Sequence, residues 1–152
     1  MRDIKFKYIF KGLPFSSVNN GFNWHVKIFT LKQIESGLIH LSNFERNLGE
    51  LVARVQFTGL IDNNGVEIYE GDIVKVLFTD WASKSQDDDR SLDEYLDSLT
   101  KVFTVEFYNL AFQLAYPNCF VDGGIDHTDL WCGKHGYIKV IGNIHENPEL
   151  LK

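Results

Sequence analysis

Cys119, His127, Cys132 and His135 stand together in the stretch CFVDGGIDHTDLWCGKH, where thiol and imidazole are the side chains best suited to hold a soft metal ion. Four such ligands close a tetrahedral zinc site, and the Cys132 and His135 pair has the compact ligand spacing of structural zinc. Cys119 and His127 lack a matching short gap, which departs from a finger pattern, and a buried cysteine also serves as a small apolar residue. A Cys and His nucleophilic pair is a further use of the same residue types. The competing reading is a Gly-rich surface loop joining two strands. No cofactor is expected beyond a structural zinc that these four could hold.

A second concentration is carboxylate. Asp62, Glu67, Glu70 and Asp72 crowd the stretch FTGLIDNNGVEIYEGDIVKV, residues 57–76, where acids could serve as proton donors, bases or metal ligands. Asp62 and Asp72 adjoin Asn or Gly, however, and a short carboxylate at such a place hydrogen-bonds the turn backbone. Glu67 and Glu70 read as strand-edge charges. Gly59, Gly65 and Gly71 suit tight backbone geometry and not a phosphate loop, because no Lys-Ser, Lys-Thr or helix N-terminus follows them. No residue is assigned a catalytic role, and the stretch is expected to be framework.

Two further groups concern partners. Asp87, Asp88, Asp89, Asp93, Glu94 and Asp97 form an acidic segment that could dock on a basic protein or imitate DNA phosphates. Its competing reading is a solvated face leading into a helix N-terminus, which favours negative charge. Trp24 and Lys27, with Lys5 and Lys7, could stack and hold single-stranded nucleic acid, as small β-barrels do. The net charge of −6 opposes that use over the surface as a whole.

The elements that must position these groups are mostly strands. IKFKYIF and FNWHVKIF alternate apolar and polar residues at the period of a half-buried strand, and so does LVARVQF. Thr30 is placed to cap a short helix that Gly37 stops. From Leu38 to Leu48 a helical stripe of Leu38, Leu41, Phe44 and Leu48 competes with interruptions at Ser42 and Asn43. Asp62, Asn63, Asn64 and Gly65 carry the strongest hairpin signal, followed by a strand at 67–69, a turn at Gly71 and a buried strand at 73–78. Ser91 and Glu94 have capping-box spacing, with Leu92, Tyr95, Leu96 and Leu99 on one face, so an amphipathic helix is expected as an insertion over about 84–100. KVFTVEFY and AFQLAY resume the strand pattern around a turn near Asn109, a loop runs to Lys134, and YIKVIGNI supplies a last strand. Asn147 and Pro148 are placed to cap and open a short terminal helix.

One domain over residues 1–152 fits a chain of this length, and 44% hydrophobic content can close a single core. Twelve Phe and six Tyr favour a β-rich core. The expected fold is therefore mostly β, or a β-rich α+β variant: a small bent sheet or barrel with one or two short helices and the acidic insertion. Two cysteines are too few for a disulfide framework. The start of the chain lacks a secretory pattern, and no apolar run reaches membrane-spanning length, so a soluble protein of the cytoplasm is expected. High aromatic content and open strand edges lead to the expectation of a homo-oligomer.

Three blocks taken together resemble the YopX family of phage and prophage proteins: MRDIKFKYIF, then FTGLIDNNGVEIYEGDIVKV, then VIGNIHENPELL. The acidic insertion and the Leu31 to Leu48 region depart from the resemblance. It implies a β-rich domain in a phage or prophage setting, often encoded near DNA-metabolism functions, with no catalytic residues to carry over. The expected function is a non-enzymatic binding or assembly module. A nucleic-acid-associated accessory protein is the first alternative, and a zinc-dependent activity on the 119–135 loop the second.

Overall fold

A computed structural model describes the backbone of residues 4–14, 22–78, 91, 95, 100–121, 124–129 and 135–152. It describes their side chains as well, apart from 13, 14, 22, 78, 116–121, 124–129, 135 and 136. The chain divides into two compact units, Met1–Gly59 and Leu60–Lys152.

In the first unit, β1 (Lys5–Pro14) lies between β2 (Phe22–Thr30) and β3 (Glu50–Ile61) and runs antiparallel to both. Directly opposed residues of an antiparallel pair share a face. Lys5, Lys7, Ile9 and Lys11 therefore stand with Thr30, Ile28, Val26 and Trp24, while Tyr8 and Phe10 stand with Lys27 and His25. The Tyr8 and Phe10 face is aromatic, and α2 (Leu41–Leu48) settles on it through Phe44, whose ring lies 6.3 Å from Phe10 and 5.4 Å from Phe29. Phe29 in turn meets Tyr8 edge-on at 5.4 Å. This contact resolves the competing signals between Leu38 and Leu48. The helix begins only at Leu41, Leu38 stays exposed, and Ser42 and Asn43 lie on exposed positions where they interrupt nothing. Ahead of it, α1 (Leu31–Glu35) has the expected start: the Thr30 hydroxyl accepts from the Gln33 N–H, and the Gln33 side chain accepts from the Thr30 N–H.

The second unit takes in the last residues of β3, which leads through a hairpin to β4 (Glu67–Tyr69), the neighbour of β3 in strand order. Its five-stranded antiparallel sheet has the order β8-β7-β6-β5-β9, from β8 (Gly124–Asp129), β7 (Ala111–Val121), β6 (Thr100–Tyr108), β5 (Asp72–Phe78) and β9 (His135–Asn143). Register explains the core. Val74 lies opposite both Phe103 and Val140, Val76 opposite Ile138, and Val105 opposite Leu114, so one face gathers β-branched and large apolar side chains. With Ile68 they form the buried cluster, against which Leu60 and Phe112 pack. Burying one such side chain stabilises the fold by roughly 1.5–3 kcal/mol relative to leaving it in water.

The protein is thus mostly β, with two antiparallel sheets that are open among the described residues, so the bent-sheet form holds and the barrel form does not. Two local expectations need correction. The stretch expected to be a loop up to Lys134 is instead largely strand: β7 continues to Val121 and pairs with β8, Phe120 opposite Ile125 and Val121 opposite Gly124. Asp122-Gly123 between them is itself a hairpin signal. At the chain's end, Pro148–Leu151 is a 3-10 turn with proline at its start, but Asn147 does not cap it with its side chain. That amide oxygen accepts instead from the Asn143 N–H at 3.4 Å. Of the acidic insertion, only Ser91, Tyr95 and Thr100, which opens β6, are described. Tyr95 is buried and its N–H donates to the Ser91 carbonyl at 3.0 Å, which is one helical turn.

Candidate functional site

The carboxylates of residues 57–76 lie in the second unit, and their neighbours decide what they can do. Asp62 is 5% exposed. One of its carboxylate oxygens accepts from the Asn64 and Val66 N–H groups, each at 2.8 Å, which closes the hairpin turn. The other accepts from the Val140 N–H on β9 at 3.0 Å. Asn63 completes the attachment, its N–H donating to the Ile138 carbonyl at 3.0 Å and its side-chain oxygen accepting from the Ile138 N–H at 2.6 Å. Burial opposes the charge on Asp62, but the amides of Val66, Val140 and Asn64, with Lys139 nearby, outweigh it and hold the carboxyl below its ordinary range.

Asp72 is more deeply placed, at 1% exposed. One oxygen accepts from the Tyr69 N–H at 2.7 Å, closing the turn through Gly71, and the other accepts from the Asn143 side-chain amide at 3.0 Å. Asn143 passes the contact on, its side-chain oxygen accepting from the His145 N–H at 3.0 Å. Gly71 sits between, at φ +76°, donating to the Val105 carbonyl and accepting from the Ile144 N–H. A side chain there would be strained in the left-handed region and would press on Ile144 at 3.4 Å. Glu67 is not an idle edge charge, because it accepts from the Tyr69 hydroxyl at 2.7 Å. Burial first, and that hydrogen bond second, push the Tyr69 phenol far above its ordinary range.

These groups form a clasp between two segments, 62–72 and 138–147, through hydrogen bonds that each span more than seventy residues of sequence. An aspartate whose oxygens accept from three backbone amides is a poor base and offers little to a metal. Among the described residues, no three His, Cys, Asp or Glu side chains gather to hold a metal ion. The expectation that Asp62 and Asp72 serve their turns therefore matches the geometry. The reach of Asp62, Asn63 and Asp72 to β9 was not readable, since nothing local in the sequence marks a partner so distant.

The other sequence candidates fall unevenly. Cys119 lies on β7, His127 on β8, and His135 opens β9. β8 and β9 are the two edge strands of the five-stranded sheet, with three strands between them. Cys132 and the side chains of the other three lie outside the described residues, as do Asp87, Asp88, Asp89, Asp93, Glu94 and Asp97. In the first unit, Lys5, Lys7 and Trp24 share a sheet face and Lys27 stands on the opposite one. Lys11, which the sequence did not single out, joins the former with its ammonium 6.0 Å from the Trp24 ring, and Lys5 lies 5.4 Å from the Phe57 ring.

One feature of the second unit was missed. The hairpin between β6 and β7 turns on Asn109 and Leu110 alone, both at positive φ, +47° and +65°. Leu110 is 92% exposed, beside the exposed Phe107 and Tyr108. Asn109 gave the turn, but no rule of turn composition selects leucine for a left-handed position.

No curated protein sequence is significantly similar to this chain. Among solved structures, the chain is similar to that of protein EF1440 from Enterococcus faecalis, with 22% identity, 98% of each chain covered and a TM-score of 0.43. No helix of the described residues is long and apolar enough to cross a membrane. A family model described as YopX protein matches residues 16–152, which takes in both halves of the clasp and leaves out the basic opening block. With nearly its whole length matched, the chain belongs to the YopX family.

Proposed function

We propose that this chain is a non-enzymatic binding or assembly module of a phage or prophage, working in the host cytoplasm as a homo-oligomer. One contrast supports the reading. Asp62 and Asp72, two of the central motif's candidates for proton chemistry, are held by backbone and side-chain amides, while Phe107, Tyr108 and Leu110 stand exposed on a hairpin tip. Large apolar side chains kept in water in this way suit contact with another surface. Light scattering on the purified chain should give a mass of more than one subunit. Affinity capture from host cells, with and without nuclease, should recover the same protein partners in both samples. A monomer that captures nothing would sink the proposal.

The acidic insertion is our candidate for a basic protein partner. Neutralising Asp87, Asp88 and Asp89 to Asn should weaken capture of that partner without lowering the melting temperature, whereas unchanged capture would remove the assignment. A second reading, nucleic-acid association, is favoured by the shared face of Lys5, Lys7, Lys11 and Trp24. It requires a gel shift that weakens steeply with salt, and no shift at low salt would end it.

A further inference from the structure

Among the described residues, β2 is the outermost strand of the first unit's sheet. Such a strand offers a row of backbone groups to another chain, and proteins that avoid this use proline, a bulge, a short run or several charges. β2 has nine residues, FNWHVKIFT, with no proline or glycine and Lys27 as its one Lys, Arg, Asp or Glu. It pairs with β1 in unbroken register from Thr30 to Trp24. Val26 and Ile28 are 40% and 48% exposed, on the sheet face away from Phe44 of α2. The second unit treats an edge differently: there Asn63 occupies both backbone groups of Ile138 and Asp62 the N–H of Val140 along β9.

We infer that β2 pairs antiparallel with β2 of a second copy of this chain, about a two-fold axis at Val26, so that one sheet continues through the dimer. The inference rests on the self-association proposed above and names its surface. The sequence selects both the occupant and the register, because the strand is complementary to itself. With Val26 opposite its own copy, all nine residues pair, Trp24 meets Ile28 and His25 meets Lys27, so both exposed aliphatic side chains gain apolar neighbours. An axis at Lys27 would set two ammonium groups face to face, which disfavours it. An axis at His25 would leave Phe29 and Thr30 unpaired.

Wild-type chain should scatter light as a dimer, and Val26→Lys should halve the mass while the monomer still unfolds cooperatively, at a melting temperature that no longer depends on concentration, since residue 26 is partly exposed and the new charges meet only at the axis. Val26→Cys should form a covalent dimer under mild oxidation, because directly opposed Cβ atoms lie about 4.5–5.5 Å apart. Lys27→Cys should cross-link far less, and wild type, with its own Cys119 and Cys132, sets the background. A wild-type dimer that survives Val26→Lys and leaves Val26→Cys uncoupled would overturn this interface while leaving self-association in place. A wild type that stays monomeric at all concentrations overturns both. If the wild type is monomeric and amides 22–30 gain exchange protection only when another protein is added, the edge takes a foreign strand and the inference fails.

Discussion

Asp72 and Asn143 show how a carboxylate in a suggestive motif comes to be structural. Both are almost wholly buried, and their mutual hydrogen bond at 3.0 Å satisfies an acceptor and a donor that would otherwise be stranded out of water. Asn143→Ala should therefore cost about 1–3 kcal/mol in urea unfolding, the penalty of leaving a buried partner unmade. A loss under half that lower bound would mean Asp72 finds a substitute. Asp62 gives a test in pH. Its carboxyl titrates below the ordinary range when folded, so it binds protons less readily in the native than in the unfolded state. The stability it contributes is complete above the unfolded carboxyl range near about pH 4 and is lost as pH falls through the lower folded value. The gap in stability between wild type and Asp62→Asn should accordingly narrow as pH drops below about 4, measured by denaturant midpoints. A gap that stays constant to the acid limit would place the contribution elsewhere. At this scale the sequence was informative about half of each interaction. Asp62 beside Asn63 and Asp72 beside Gly71 announced turn bonds, whereas the strand each turn reaches is set by tertiary packing.

Elements were legible where a single local cause fixed them. Thr30 with Gln33 starts α1, and the apolar run of β5, expected as a buried strand, has Ile73, Val74 and Val76 buried. α2 was obscured because Phe44 decides it, and Phe44 has value only against Phe10 and Phe29 on strands far from it in sequence. The β7–β8 hairpin was hidden by a composition of Gly and Asp that suits a loop and a tight turn equally. The β6–β7 hairpin carries the clearest conflict between local preference and observed form. A two-residue turn with positive φ at both positions has the sign pattern of type I′, where Asn-Gly is favoured and leucine is not. Holding a branched residue in the left-handed region costs about 1–2 kcal/mol, and Leu110, exposed to solvent, has no packing here to offset it. Leu110→Gly should therefore raise stability by about 1 kcal/mol in thermal or urea unfolding, after allowing for the greater freedom of unfolded glycine. If the same variant also captures less partner, the strain is retained for contact, and if it unfolds more easily the turn is relaxed by something beyond these two angles.

Across the whole chain, two scales of information separate. Aromatic content and strand periodicity bounded the fold class correctly as mostly β. The way the second unit closes rests instead on contacts of long sequence separation: Asp62 to Val140, Asn63 to Ile138, Gly71 to Ile144, and Asp72 to Asn143. Such contacts form only after long loops have closed, so local segments cannot stand in for them. Gly142 tightens the same region, since a side chain there would come within 2.8 Å of both Asn147 and Leu150. It follows that the end of the chain is needed for the unit that begins at Leu60. Removing residues 142–152 would leave the Asp72 carboxylate without Asn143 and the Gly71 carbonyl without the Ile144 N–H, two buried losses of about 1–3 kcal/mol each. Against a typical domain stability of about 5–15 kcal/mol, those losses together with the missing strand pairing of Gly142 and Asn143 with Ile73 and Asp72 should abolish cooperative folding of the second unit. Methyl NMR provides the measurement: the resonances of Val74, Val76, Val105 and Leu114 should lose their dispersion in the truncated chain. Retained dispersion in all four would show that the core closes without the clasp and that the C-terminal block serves some other purpose.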